Sequence, residues 1–120
     1  MSGDLKPRDE KNLSESIRMA AAAKMPLIVS GAGSKSGIGR PNGYAMSVTT
    51  QRMQGISLYE PTELVIGALP GTPLSEINQT LATQNQMLPF EPMDYRPILG
   101  GRHEPTIGGI AAGNVPGPRR

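Results

Sequence analysis

The chain contains no cysteine and no tryptophan, and only one histidine and one phenylalanine. Without thiols there is no disulfide, no thiolate nucleophile, no cysteine-ligated zinc and no iron–sulfur cluster, and one imidazole excludes a multi-histidine metal site. Branched apolar residues are scarce: 10 Leu, 9 Ile, 4 Val and the one Phe make up 20% of the 120 residues, the edge of what a buried core requires. One domain of marginal stability is the most this length and composition allow. No apolar run nears the ~20 residues of a membrane span, and the polar start, 1–12, lacks the apolar stretch of a secretory signal. The sequence therefore reads as soluble and cytoplasmic. An excess of one charge is also missing: 12 Lys and Arg against 10 Asp and Glu leave +2, too weak a field for binding a phosphate backbone, so nucleic acid is not an expected partner.

What the chain does have is glycine, 15 residues, and proline, 12. Five glycines fall between Gly31 and Gly43 and six between Gly100 and Gly117. Glycine belongs where φ is positive or where the backbone must come very close to something, so two such windows suggest two walls of one site. Flexible linkers are the plainer alternative, but Ile38, Ile107, Ile110 and Ala111-Ala112 inside the windows argue for ordered loops.

Between the windows, regular structure is expected. Leu13, Ile17, Ala20 and Ala21 recur at helical spacing over 12–24, closed before Pro26. Leu27-Ile28-Val29 is a continuous apolar run ending at Gly31, the form of a buried strand, and 44–48 is a second strand. Ile56 and Leu58, then Leu64, Ile66 and Leu69, mark two strands around a turn at Glu60-Pro61-Thr62. Thr72 as N-cap and Pro73 at the first helical position open a helix through Leu74, Ile77 and Leu81 that ends near Gln84. Met87 to Phe90 forms a brief apolar element, and Thr106 stands where the N-cap of a further helix belongs. Met19, Met25, Met46 and Met87 are expected to fill the core.

Gly31-Ala32-Gly33-Ser34-Lys35-Ser36-Gly37 directly follows a strand, the arrangement in which successive N–H groups form a nest for an anion. Phosphate is the natural guest, with cations at Lys35, Arg40 and Arg102 in or beside the glycine windows, although such cations also solvate loops. Neither standard nucleotide motif fits: Lys35 follows Ser34 rather than the glycine of a Walker loop, and Ser36 stands where a Rossmann fingerprint has its third glycine. Thr49 to Ile56 also lacks the acidic residue that would hold a ribose.

Several segments in order carry a resemblance: 28–35 (Ile-Val-Ser-Gly-Ala-Gly-Ser-Lys), 59–64 (Tyr-Glu-Pro-Thr-Glu-Leu), 70–74 (Pro-Gly-Thr-Pro-Leu), 88–92 (Leu-Pro-Phe-Glu-Pro), Gly100-Gly101, 106–109 (Thr-Ile-Gly-Gly) and 114–120 (Asn-Val-Pro-Gly-Pro-Arg-Arg). The chain resembles the vanillyl-alcohol-oxidase, or PCMH-type, FAD-binding domain, and its 88–92 and 117–120 segments are most similar to the flavoprotein subunits of bacterial glycolate oxidases. The resemblance implies an α+β, two-subdomain FAD-binding domain of which the chain holds only the N-terminal part. Its first subdomain, βαβ-like, would span about 10–70 and the start of the second about 71–120; the rest of the domain would lie after Arg120. It implies FAD as cofactor, with Gly31, Ala32, Gly33, Ser34, Lys35 and Gly37 cradling the diphosphate and Pro70 and Gly71 lining the adenine side. Gly101, Thr106, Ile107, Gly108, Gly109, Ala112 and Asn114 would approach the flavin and its diphosphate from the second subdomain.

The implied activity is oxidation of a small 2-hydroxy acid, glycolate to glyoxylate, by hydride transfer to flavin. A complex with a second flavoprotein subunit and an iron–sulfur subunit is also implied, with any place at the inner membrane reached through them. No catalytic residue is assigned and no metal is expected. His103 reads as a solvated loop residue, Glu60 and Glu63 as residues of a turn and a strand start, and Arg119 and Arg120 as terminal cations. Pro70, where the family commonly has Ala, and Gly113, which loosens the helix from Thr106, depart from the pattern. Two other readings stay open: a noncatalytic nucleotide-binding or assembly module, and a fragment that does not fold stably alone.

Overall fold

A computed structural model describes residues 4–31, 46–92, 96–99 and 104–113. Strand β1 (Asp4–Leu5) leads to helix α1 (Glu10–Ala22), strand β2 (Leu27–Ser30) and strand β3 (Met46–Thr49). These three strands form a parallel sheet in the order β1-β3-β2. Ladder bonds from Met46 N–H to the Pro26 carbonyl (3.1 Å) and from Thr50 N–H to the Ser30 carbonyl (2.9 Å) extend the β2–β3 pairing at both ends. After residue 50 the sheet changes character. Strand β4 (Ile56–Glu60), a 3-10 turn (Pro61–Glu63) and strand β5 (Val65–Ala68) make an antiparallel hairpin. Helices α2 (Leu74–Ala82), α3 (Arg96–Leu99) and α4 (Ile107–Gly113) follow. The result is a mixed α+β architecture, as the resemblance implied, with two small sheets among the described residues. Among the described residues, no helix is long and apolar enough to cross a membrane.

Helix α1 starts two residues earlier than the apolar spacing suggests, because the Asp9 carboxylate accepts the Asn12 N–H at 2.8 Å and caps the helix. At its other end Lys24 adopts φ 54°, while Lys24 N–H bonds to the Ala21 carbonyl and Met25 N–H to the Ala20 carbonyl. That is a Schellman closure, in which the left-handed position favours glycine. Lys24→Gly is expected to raise stability by about 1 kcal/mol, because a residue with a Cβ is strained there. A thermal melt checks it, and an unchanged or lowered midpoint contradicts it.

Four expectations require correction. Leu27–Val29 is not buried on both faces: β2 stands at an edge among the described strands, and Ile28 and Val29 are 39% and 67% exposed. Met19, Met25 and Met87 are exposed rather than core, while Met53, in the turn after β3, is 2% exposed and fills that role. Met87 to Phe90 forms no helix or strand. Finally, Thr72 does not cap α2. Pro73 occupies the cap position, and the first helical N–H groups find acceptors across the chain, Leu74 on the Pro105 carbonyl and Ser75 on the Glu104 carboxylate. Thr72 is fully buried, and its hydroxyl instead donates to the Gly55 carbonyl and accepts the Gly55 N–H.

Among the described residues, the buried apolar side chains are Ala20, Val48, Met53, Ile77, Leu81 and Ile110, drawn from α1, β3, α2, α4 and the turn between the sheets.

Candidate functional site

The described part of the two glycine windows meets at one place. A Cβ built on Gly31, at the end of β2, would lie 2.5 Å from the Thr106 hydroxyl oxygen, so the mouth of the first glycine loop lies directly on the residue that opens α4. Thr106 is 5% exposed, and its hydroxyl accepts the Gly109 N–H at 3.3 Å, the N-cap bond expected from sequence. On the opposite side, the Gly31 carbonyl accepts from the Thr49 hydroxyl at 2.8 Å, which also accepts the Gln51 N–H at 3.2 Å. Gly31 is thus pinned by threonines from β3 and from the start of α4, 18 and 75 positions away in the sequence.

Pro70 and Gly71 lie in the same assembly. The Gly108 N–H donates to the Pro70 carbonyl at 2.9 Å and the Ile107 N–H to the Thr72 carbonyl at 3.0 Å. A Pro73–Thr106 antiparallel bridge continues the contact. A Cβ on Gly108 would come within 2.7 Å of the Pro70 ring and 2.8 Å of its carbonyl oxygen, so the missing side chain at 108 makes room for Pro70. Gly71 is enclosed by the Thr50 and Met53 carbonyls and donates its N–H to the latter at 2.8 Å. Segments 30–31, 49–55, 70–73 and 104–109 therefore form one hydrogen-bonded unit. The buried polar side chains among the described residues, Thr49, Thr72 and Thr106, all belong to it, and no buried side-chain donor or acceptor there lacks a partner.

Of the residues that the resemblance assigned to cofactor binding, Gly31, Pro70, Gly71, Thr106, Ile107, Gly108 and Gly109 come together in this unit. Ala112 sits exposed on the second turn of α4. Ala32, Gly33, Ser34, Lys35, Gly37, Gly101 and Asn114 lie outside the described residues, as do His103, Arg119 and Arg120. Two residues not assigned to the site from sequence help hold the unit together: Thr49, in β3, and Thr72, read there only as a helix cap. Threonine in a strand or a turn is ordinary and signals nothing by itself.

A cofactor lying against this unit would find the N–H groups of Ile107, Gly108 and Gly109 already engaged. The absence of a Cβ at Gly31 and Gly108 lets the end of β2 and Pro70 pack against the start of α4. Among the described residues no three His, Cys, Asp or Glu side chains come together as a metal site would require.

Comparison with known proteins identifies the fold. The chain is 43% identical over 109 residues to glycolate oxidase subunit GlcE of Escherichia coli (strain K12), covering 90% of this chain. It spans 29% of that relative's length. Residues 2–120 match the family model described as an FAD binding domain, so this chain belongs to the FAD-binding-domain family and FAD is its cofactor.

Proposed function

We propose that the chain is the N-terminal part of an FAD-binding subunit of a glycolate-oxidising complex. The observation that supports this reading is the meeting of Gly31 with Thr106 and of Pro70 with Gly108, which brings the described ends of the two glycine windows into one unit. The likeness to a glycolate oxidase subunit supports the assignment of the complex. When bound, FAD supplies the two-electron acceptor for oxidation of a 2-hydroxy acid such as glycolate. The chain's own part is to bind and orient. Backbone N–H groups of Gly31 to Gly37 hold the diphosphate, with Lys35 adding charge. Pro70 and Gly71 border the adenine side, Thr106 to Gly109 form the facing wall with Gly101, and Ala112 and Asn114 extend it. A second flavoprotein subunit and an iron–sulfur subunit complete the complex. We place the protein in the cytoplasm, with any attachment to the inner membrane made by those partners.

The test is a melt of the purified protein with and without excess FAD. A ligand that binds only the folded state stabilises it, by about 2.7 kcal/mol at a hundredfold excess over Kd. The midpoint is expected to rise with FAD, and Gly33→Val is expected to abolish the shift while leaving the flavin-free melt in place. A transition indifferent to FAD contradicts the reading and favours a noncatalytic assembly module. A normal FAD shift in Gly33→Val contradicts the placement of the diphosphate.

A further inference from the structure

The hairpin and the segment after α2 enclose an apolar groove of about 260 Å³, remote in sequence from the glycine windows. Tyr59, Leu64 and Ile66 line one side and Leu81, Met87 and Leu88 the other. Gln86 holds the sides together: its amide N–H donates to the Pro61 carbonyl at 2.9 Å and its amide oxygen accepts from the Tyr59 hydroxyl. The groove is therefore built before anything enters it.

Two further observations point to a macromolecular occupant. Leu64 sits at the tip of the hairpin with φ 58° and ψ 39°, a conformation that glycine or asparagine takes readily and a leucine resists, and its side chain is 80% exposed. A large apolar group is displayed to solvent on a strained backbone, beside Met87, itself 64% exposed. Strain of this kind is retained where the side chain has a use. The second observation is charge. All residues lining the groove come from the stretch between Arg52 and Arg96, which contains Glu60, Glu63, Glu76, Glu91 and Asp94 and no Lys or Arg. That stretch carries −5 in a chain whose net charge is +2.

We propose that this groove docks a partner subunit through an apolar surface flanked by lysine or arginine, with Leu64 as the anchor. Glu60 and Glu63, exposed next to the lining residues Tyr59 and Leu64, steer a basic partner and disfavour an acidic one, and the exposed leucine supplies the desolvated centre. The choice of a subunit as occupant rests on the function proposed above; the groove and its charge do not.

Leu64→Gly separates the two roles of the residue, because glycine removes the anchor and relieves the backbone. In the intact protein the variant is expected to melt higher than the parent, bind FAD unchanged, and associate with the other subunits of the complex at least about tenfold more weakly in a sedimentation or biolayer titration. Raising the ionic strength is expected to weaken the parent's association. Met19→Arg, at an exposed site on α1, serves as the control and is expected to leave association unchanged. Undiminished association of Leu64→Gly overturns the proposal. So does a lowered melt of the variant, which would mean that Leu64 is covered by its own polypeptide, or a change in its self-association, which would mean a second copy. Loss of FAD binding by the parent with association intact would sink the functional reading and leave the docking surface standing.

Discussion

Gly71→Ala is expected to abolish the cooperative melt of this protein. A Cβ at that position would lie 2.0 Å from the Thr50 carbonyl oxygen and 2.9 Å from that of Met53. Both obstacles are backbone, and neither is free to retreat. Thr50 extends the β2–β3 ladder through its N–H and accepts the Met53 N–H at 2.9 Å, while the Met53 carbonyl accepts the Gly71 N–H itself. Moving Gly71 outward would pull on Thr72, which is fully buried and bonded to Gly55. Overpacking with no soft neighbour belongs to the class of substitution that costs more than about 4 kcal/mol. Domains of this size have about 5–15 kcal/mol in total, and the few branched apolar residues here place this one at the low end. Gly67→Ala is the comparison: its Cβ would meet only the Ser57 hydroxyl at 3.1 Å and the Leu58 side chain at 3.5 Å, so its cost should stay near 1 kcal/mol. Circular dichroism melts of the two variants decide the matter. A Gly71→Ala protein that melts like the parent would mean that the turn over Thr50 and Met53 yields, against the packing described.

The elements carried by periodicity were legible in the sequence. Leu13, Ile17 and Ala20 announced α1, the Ile77–Leu81 spacing announced α2, and the prolines and glycines between apolar runs announced the hairpin. What the sequence could not disclose is partnership. Strand β1 has two residues and exists only because β3 accepts it, so no local pattern marks it. Met53 lies between Arg52 and Gln54 in a turn, where no period points inward, yet it is more deeply buried than the methionines placed in apolar runs. The start of α2 carries no capping side chain of its own, because Glu104 and Pro105 supply acceptors from about 30 residues away.

The candidate site divides the same way. Glycine clustering indicated that backbones approach closely, and that was visible without a structure. What they approach was not. At Gly71 and Gly108 the partner is the protein's own main chain and Pro70, and at Gly31 it is the Thr106 side chain. The resemblance to FAD-binding domains supplied the cofactor, which composition and spacing alone left as a generic anion.

Gly31 allows the two demands on these glycines, close packing and ligand approach, to be separated. A Cβ there would collide with the Thr106 hydroxyl oxygen at 2.5 Å, whereas the next atoms, the Thr106 Cβ and its methyl, lie at 3.6 and 3.7 Å. The clash is with one side-chain atom. Gly31→Ala alone should therefore destabilise by about 1–3 kcal/mol and weaken FAD binding, because α4 is displaced from the mouth of the loop. Thr106→Ala alone loses the cap on Gly109 and should cost about 1 kcal/mol. In the double variant the methyl introduced at position 31 takes the volume vacated by the hydroxyl, so the two costs should not add. Its melt is expected to return to that of Thr106→Ala. FAD binding is expected to recover with it, since the new methyl points at Thr106, at the start of α4. Calorimetric melts with and without FAD across the four proteins measure both couplings. Additive destabilisation would contradict the contact between Gly31 and Thr106. Recovery of the melt without recovery of FAD binding would instead place the cofactor directly against Gly31, the residue that follows β2.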